Sequence, residues 1–136
     1  MTSNFTARVS FGHCDPAGIV HYPNTFCWMD ATFHDFLRPF GGHAALCAAL
    51  GATGIGLVDV GATFRRPMRD GDLVTIRLSV ESWSKRSVSL AYTAVVEDWC
   101  VFEGREVRAL FQQTAEGMRA TEVAQLRAML EERDDG

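Results

Sequence analysis

The stretch PNTFCWMDATFHDFLRPF, residues 23–40, carries apolar side chains at steps of three and four. These positions are Phe26, Met29, Phe33, Phe36, Leu37 and Phe40. The period predicts one helix of roughly 17 residues with a broad apolar face. Pro23 suits the first turn, where the N–H that proline lacks would be unpaired anyway. Gly41 and Gly42 are typical of a helix end. Because this helix is so apolar, other parts of the chain must cover it.

Segments before and after this helix supply the cover. Alternation at Phe5, Ala7, Val9 and Phe11 predicts a strand before it. Stretches rich in β-branched and aromatic residues predict four more strands, at about 56–66, 72–83, 86–98 and 101–114. The turn sequences between them are RPMRDGD, WSKRS and EDWCVFEGRE. Short helices are predicted over residues 43–50 and about 121–133, the latter with Val123, Leu126 and Leu130 on one face.

This order predicts an α+β fold in which a five-stranded antiparallel sheet curls around the long helix. Residues 1–136 suit one domain. A curled but open sheet keeps edge strands, and an edge strand can pair with a second copy of the chain. We therefore expect a homo-oligomer, at least a dimer.

Composition narrows the classes of partner. The net charge of −4 argues against nucleic acid and anionic membranes. No run of about 20 apolar residues is present, so no membrane-spanning helix is predicted. The N-terminus, MTSNFTARVSF, lacks the pattern of a signal peptide. The four cysteines form no Cys-x-x-Cys pair, which favours reduced thiols and a cytoplasmic location.

The segment SFGHCDPAGIVHYPNTF, residues 10–26, holds the first candidate for chemistry. Asp15 lies where the first strand ends, about eight residues before the helix. Backbone N–H groups at a helix start are unpaired and carry partial positive charge, so they can bind a carbonyl and the oxyanion it becomes. A nearby carboxylate can attack that carbonyl or take a proton from water. The alternative is that Asp15 only caps the Pro-Ala-Gly turn.

Two imidazoles flank Asp15. His13 and His21 can hydrogen-bond around Asp15, contact a substrate, or simply be partly exposed. A metal site gathering these residues with Asp30 and His34 is conceivable, since the last two are one helical turn apart. No pair matches a signature such as His-Glu-x-x-His, so no metal is predicted. Asp30 itself either lies on a solvated helix face or binds a polar group of the substrate.

Basic residues form two clusters. Lys85 and Arg86 lie in the turn WSKRS, residues 83–87. Arg65, Arg66 and Arg69 surround Pro67. Each cluster is either solvated or holds phosphates. The absence of Gly-x-Ser-x-Gly and of a phosphate-binding loop leaves a serine hydrolase or an NTPase unsupported.

The stretch FGHCDPAGIVHYPN closely resembles the motif F-G-D-C-D-P-A-G-I-V-x-Y-P-N of 4-hydroxybenzoyl-CoA thioesterases of the Pseudomonas type. The likeness continues in Trp28-Met29-Asp30-Ala31, in GDLVTI at 71–76, and in WSKRS. These enzymes have the hot dog fold, the architecture predicted above. The resemblance implies acyl-CoA hydrolysis with no cofactor, coenzyme A being part of the substrate. We expect a homo-oligomer built from a dimer of hot dogs, with a tetramer as the favoured assembly, and the sequence leaves dimer and tetramer both open.

The family's residues carry over position by position. The catalytic aspartate falls on Asp15, the oxyanion-binding N–H on Tyr22, and the motif glycine on Gly18. The aspartate that meets a phenolic hydroxyl falls on Asp30. The turn that approaches the coenzyme A nucleotide falls on Ser84, Lys85 and Arg86. Three departures, His13, His21 and Thr25, replace the usual Asp, aromatic residue and Tyr. His21 and Thr25 are implied to lie near the acyl pocket, so we count all three among the candidate substrate-binding residues.

The leading hypothesis is therefore hydrolysis of an aryl-CoA or a short-chain acyl-CoA. Asp15 either attacks the carbonyl or activates water, and the sequence leaves both open. A hot dog hydratase or dehydratase is the first alternative, since such enzymes pair a His with an acid. The glycine- and proline-rich signature around a dehydratase His is missing here. A non-catalytic acyl-CoA binding protein is the second alternative.

Overall fold

The computed structural model describes residues 1–135, with side chains through residue 132. It contains six strands and three α-helices in the order β1 (Thr2–Arg8), α1 (Pro23–Leu37), α2 (His43–Leu50), β2 (Gly54–Phe64), β3 (Leu73–Trp83), β4 (Val88–Val96), β5 (Trp99–Thr114), β6 (Gly117–Thr121) and α3 (Ala124–Asp135). In that part of the chain, no helix has the length and apolar character needed to cross a membrane.

The strands form one antiparallel sheet in the order β1-β3-β4-β5-β2, with β6 added beside the end of β5. The predicted five-stranded arrangement is confirmed, and β6 is an addition that the sequence analysis missed. A two-residue turn at Ala115 and Glu116 joins β5 to β6, so the hairpin is too short to separate two obvious strand patterns.

Helix α1 packs its apolar face on the sheet. Met29, Phe33 and Leu37 are buried there, against strand residues that include Ile76, Leu78, Leu90 and Phe102. Gly104 on β5 lets the helix come close, because a Cβ there would lie 2.7 Å from Cε of Met29. The fold therefore depends on a single wide apolar helix face, as its period predicted.

Two predicted boundaries near α1 are wrong. The first strand ends at Arg8, and Phe11 is 82% exposed in a 3₁₀ turn over Phe11–His13. Helix α1 ends at Leu37 rather than continuing to Phe40, and a 3₁₀ turn over Arg38–Phe40 follows. Pro39 explains the early end, since it lacks an N–H and restricts the residue before it.

The predicted turn EDWCVFEGRE is also too long. Strand β4 ends at Val96 and β5 begins at Trp99, so only Glu97 and Asp98 form the turn, with Glu97 at φ 54°. Residues of that stretch from Trp99 onward pair with β4 as strand. The strand predicted at about 101–114 therefore begins two residues earlier, and Glu106 lies in its interior.

Strand β2 is an edge of the sheet over most of its length, because β5 is its only paired neighbour among the described strands. It exposes apolar side chains at Leu57, Val58, Val60 and Phe64. At the other end of the chain, Val123, Leu126 and Leu130 are buried, although α3 begins at Ala124 and Val123 precedes it. The exposed apolar edge of the sheet is therefore β2, while α3 covers another part of the core.

Candidate active site

A tight hairpin turn sets the position of Asp15. Asp15 N–H donates to Ile19 O, and Gly18 N–H donates to Asp15 O, each at 2.9 Å. Gly18 has φ 81°, a conformation that only glycine adopts freely, and it closes a three-residue loop after Asp15. Asp15 Oδ1 accepts a hydrogen bond from Ala17 N–H at 2.9 Å. Asp15 therefore caps the turn with one oxygen, and no hydrogen bond among the described residues uses the other.

The start of α1 leaves one amide free. Tyr22 is the N-cap residue and Pro23, which has no N–H, is the first helical residue. Asn24 N–H donates to His21 O at 3.0 Å, and Thr25 N–H donates to Tyr22 O at 3.1 Å. No described hydrogen bond uses Tyr22 N–H. A free donor thus lies at the positive end of a 15-residue helix, as anion binding requires.

Hydrogen bonds hold the turn against the helix start. His21 N–H donates to His13 O at 2.9 Å, and Asn24 Nδ2 donates to the same oxygen at 2.8 Å. Val20 N–H donates to Met68 O at 2.9 Å, which ties the segment to the loop after β2. These three bonds between the turn, the helix start and the loop after β2 involve no charged side chain.

These elements enclose a cleft of about 510 Å³. Its lining residues are Asp15, Ile19, Val20, His21, Tyr22, Phe64, Arg65, Arg66, Pro67 and Met68. Three of the predicted site residues, Asp15, His21 and Tyr22, thus line a single cavity. In such a cleft, a free helix-start amide can bind a carbonyl oxygen, and a carboxylate can attack the carbonyl carbon or activate water.

Two other predicted residues lie behind the cleft instead of lining it. His13 Nδ1 accepts a hydrogen bond from Ser10 N–H at 2.9 Å. The His13 ring packs edge-on against Trp28 with the ring centres 5.0 Å apart. Thr25 is fully buried, and its hydroxyl oxygen has no hydrogen-bond partner. His13 thus braces the turn, and Thr25 presents an unpaired hydroxyl to the interior at the helix start.

Asp30 belongs to a second cluster, halfway along α1. Arg108 Nη2 donates to Asp30 Oδ1 at 2.9 Å, and His34 Nε2 lies 3.5 Å from the same oxygen. The Asp30 side chain is 51% exposed. Within residues 1–132, no group of three His, Cys, Asp or Glu side chains could hold a metal ion.

Behind Asp30 lies a buried ion pair. Glu106 and Arg108 are 1% and 2% exposed. Arg108 Nε donates to Glu106 Oε1 at 2.9 Å and its Nη2 donates to Glu106 Oε2 at 3.1 Å. Tyr92 donates its hydroxyl proton to Glu106 Oε1. The pKa of Tyr92 is raised, chiefly by burial and then by the charge of Glu106, so the phenol stays protonated.

The charge of Arg108 is secure in this setting. Burial by itself would lower the pKa of Arg108, but the hydrogen bonds and charge of Glu106 and the hydrogen bond of Asp30 outweigh burial and raise it. The guanidinium also lies over the Phe33 ring, with Cζ 3.9 Å from the ring centre. Arg108 is consequently a permanent buried cation with one link to the surface, through Asp30.

The sequence analysis missed this cluster, although a signal was present. Glu106, Arg108 and Leu110 alternate along β5 with Val107 and Ala109. Period-two reasoning puts the first three on one face, and charges on the face of a buried Leu indicate a paired network. The stretch was predicted as part of a strand at about 101–114, but which of its residues share a face was not examined.

The two basic clusters lie at different places. Arg65 and Arg66 line the cleft. Ser84, Lys85 and Arg86 follow Trp83, at the far end of β3 from Leu73. Ten strand steps separate these ends, about 33 Å along an extended strand. Ser84 and Lys85 line a separate pocket that shares no residue with the Asp15 cleft.

Comparison with known proteins agrees with this geometry. The Thioesterase superfamily model matches residues 17–99. Over 123 residues the chain is 30% identical to the 4-hydroxybenzoyl-CoA thioesterase of Pseudomonas sp. strain CBS-3, covering 85% of this chain and 87% of that protein. The solved structure of the enzyme from that strain matches with a TM-score of 0.85 at 26% identity, covering 95% of this chain and 98% of that one. A solved gentisyl-coenzyme A thioesterase matches with a TM-score of 0.74 at 26% identity, covering 94% and 98%. The predicted hot dog fold is confirmed.

Proposed function

This chain belongs to the thioesterase superfamily and is a thioester hydrolase, and we propose that its substrate is an aryl-CoA ester. The observation that carries the proposal is the cleft shared by the Asp15 carboxylate and the free amide of Tyr22. The family match begins at residue 17, so the role of Asp15 rests on this geometry and on the motif around it.

In the proposed mechanism, the thioester carbonyl oxygen accepts a hydrogen bond from Tyr22 N–H. The helix start stabilises the negative charge that develops on this oxygen as the carbonyl carbon becomes tetrahedral. Asp15 either attacks the carbon, giving a mixed anhydride that water then cleaves, or takes a proton from the attacking water. In both cases the acyl–sulfur bond breaks, and the products are a carboxylic acid and the thiol of coenzyme A.

The names of the relatives support an aromatic acyl group. The Pseudomonas relative is a 4-hydroxybenzoyl-CoA thioesterase, and another solved relative is a gentisyl-CoA thioesterase. A 4-hydroxybenzoyl CoA thioesterase was also solved in complex with 4-hydroxybenzoyl CoA, as a variant with Asn in place of an Asp. Asp30 lies eight residues after Tyr22, about 12 Å along the helix. We propose that an aryl group bound at the cleft extends along α1 toward Asp30.

The departures from the motif receive different roles in this proposal. His21 lines the cleft and would contact the acyl-CoA directly. Thr25 is fully buried and does not line the cleft, so it would support the helix start from the interior. His13 would hold the loop through its bonds to Ser10 and the helix rather than touch the substrate.

Coenzyme A binding would involve more than one chain. Arg65 and Arg66 lie at the cleft and can meet its phosphates. The turn of Ser84, Lys85 and Arg86 could reach a nucleotide only at the cleft of another copy. We propose a homodimer formed at the apolar edge of β2, and a tetramer that brings this turn to a neighbouring cleft. No cofactor takes part in the proposed reaction.

A panel of coenzyme A thioesters tests the function. Aryl, short alkyl and 2-enoyl esters are offered, and release of free thiol is followed. We expect the fastest release with hydroxylated benzoyl esters. Water addition to a 2-enoyl ester without thiol release would favour the hydratase, and tight binding with no turnover would favour the binding protein. Either result would overturn the proposal.

A single turnover in ¹⁸O-water decides the role of Asp15. If Asp15 attacks the carbonyl, hydrolysis of the anhydride places label in the protein, and mass spectrometry finds it in the peptide that contains Asp15. If Asp15 acts as a base, all label is in the released acid.

A further inference from the structure

We infer that Arg108 is a positioning residue, which holds the Asp30 carboxylate so that the site selects acyl groups ending in a hydrogen-bond donor. This inference rests on the proposed thioesterase function and adds a residue that no part of the sequence analysis assigned. Arg108 touches no reacting atom, so its effect passes through Asp30.

Arg108 is held from several sides. Glu106 binds it through two parallel hydrogen bonds, a geometry that fixes the plane of the guanidinium. The Phe33 ring covers one face, and Ile55 O accepts a weak bond from Nη1 at 3.4 Å. Tyr92 in turn fixes the Glu106 carboxylate. The donor directed at Asp30 is therefore pre-organised, with β4 and β5 as its support.

Asp30 uses only one of its oxygens in this network. Arg108 and His34 both approach Oδ1, and no described hydrogen bond is made to Oδ2. The half-exposed carboxylate thus presents a free acceptor whose orientation is fixed by Arg108. A hydroxyl or amino group at the far end of an acyl chain can donate to it.

The charges of the cluster favour a neutral donor over an anion. Arg108 contributes one positive charge against the two negative charges of Glu106 and Asp30, so the trio carries a net charge of −1 when both carboxylates are ionised. An acyl group ending in a carboxylate would meet this charge and be repelled. The site therefore discriminates twice, by an acceptor for hydroxyl groups and by repulsion of carboxylates.

A purely structural ion pair is the competing explanation. Replacing a buried ion pair with apolar residues is often neutral or stabilising, so stability is a weak reason for such a pair. The link from the pair to a half-exposed carboxylate on the helix that begins at the cleft is what favours positioning. The two explanations differ in one measurable quantity, the ratio of kcat/KM for 4-hydroxybenzoyl-CoA to that for benzoyl-CoA.

Arg108→Lys is the main variant. Lysine keeps a positive charge beside Glu106 but lacks the planar fork needed to bind Glu106 and Asp30 together. We expect the wild-type ratio to be at least about tenfold, as for a hydrogen bond to a charged group. It should fall to within about threefold of one in Arg108→Lys and in Asp30→Asn, mainly through KM for the hydroxylated ester. Arg105→Lys, on the same strand in an exposed pair with Asp59, is the matched control and should keep the wild-type ratio.

A second variant covers the case in which Arg108→Lys does not fold. The double substitution Glu106→Gln/Arg108→Gln removes both charges together, leaves no unpaired buried charge, and should abolish the preference equally. If either folded variant slows both esters by the same factor and keeps the ratio, the network is only structural and the inference is wrong. A wild-type ratio near one would overturn it too, while leaving the thioesterase proposal intact. Failure of the wild type to hydrolyse any thioester would instead overturn the proposed function itself.

Discussion

Two regions with charged side chains lie along helix α1, and they differ in how those side chains are paired. At its start, Asp15 lies in an open cleft, positioned by a turn and beside an amide with no partner. Halfway along, Arg108 and Glu106 are buried, fully paired and linked to the surface only by Asp30. The first region leaves polar groups unsatisfied, and the second satisfies them.

The difference follows from what each region must do. A group that reacts with a substrate needs an accessible, unpaired atom, and a backbone turn can provide this without a charged support. A group that only orients another must not move, and burial with several hydrogen bonds achieves this. Substitutions in the two regions should therefore fail differently, the first in activity and the second in stability or selectivity.

Asp15→Asn should have the largest effect. Asparagine keeps an oxygen to accept from Ala17 N–H, so the turn should survive. It can neither attack the carbonyl as a carboxylate nor take a proton, so kcat/KM should fall about 10²- to 10⁴-fold. The measurement is thiol release from the best ester of the panel, with melting curves to check the fold. Asp98→Asn, in the exposed turn before β5, is the control. Wild-type rates in Asp15→Asn would remove Asp15 from the mechanism.

Arg108→Met should act mainly on stability. Removing one partner leaves Glu106 as an unpaired buried charge, and the free energy of unfolding should fall by about 3–5 kcal/mol. Urea unfolding measures this change. Arg105→Met removes an exposed pair with Asp59 and should cost less than about 1 kcal/mol. Equal losses in the two variants would mean that burial does not separate these arginines.

Gly18→Ala tests the turn by itself. Gly18 has φ 81°, and an alanine there should cost about 1–2 kcal/mol of stability. Nothing lies within 4 Å of an added Cβ, so the cost would be one of backbone conformation and not of collision. Relaxation of the turn would also move Asp15 and lower kcat. Gly12→Ala adds a Cβ in equally open space without positive φ and is the matched control. A Gly18→Ala variant as stable and active as Gly12→Ala would contradict the account of the turn.

The same two regions explain how far the sequence could predict this molecule. The cleft could be predicted because its residues are close along the chain: Asp15, Gly18 and Tyr22 lie within eight positions. The known properties of turns and helix starts are enough to relate them. The buried cluster joins Asp30 to Arg108, 78 positions apart. Only the sheet register, which sets β5 beside β4 and under α1, brings them together.

Local rules also account for the smaller errors. Phe11 continues the alternating pattern of the first strand, but Ser10 is the N-cap of a 3₁₀ turn, and this turn ends the extended conformation. His13, His21 and Thr25 were grouped as departures from the family motif, and their roles stay predictions; of the three, only His21 lines the cleft. Burial of Thr25 follows from the rotation of the helix against the sheet, which sequence spacing alone does not determine.

The smallest predicted effect lies at His43, whose ring packs against His34 beside the buried network, with the ring centres 5.5 Å apart. His43 Nε2 accepts a hydrogen bond from Ile55 N–H at 3.0 Å, which requires the neutral ring. Burial lowers the pKa of His43 from its ordinary 6.5, and the charges of His34 and Arg108 lower it further, against a smaller opposing effect of Asp30.

The unfolded chain therefore binds a proton at His43 more readily than the folded one. This contribution to stability is present above about pH 6.5 and decreases as the pH falls toward the lower folded pKa, by no more than about 1.4 kcal/mol per pH unit. Urea unfolding at about pH 7.5 and about pH 5.5 measures the decrease. His43→Gln, whose amide oxygen can still accept from Ile55, should lose less stability than the wild type over this interval, while His21→Gln, with an exposed ring, should lose as much as the wild type. If His43→Gln and the wild type lose the same amount, the Ile55 hydrogen bond does not keep His43 neutral, and the buried network does not extend to α2.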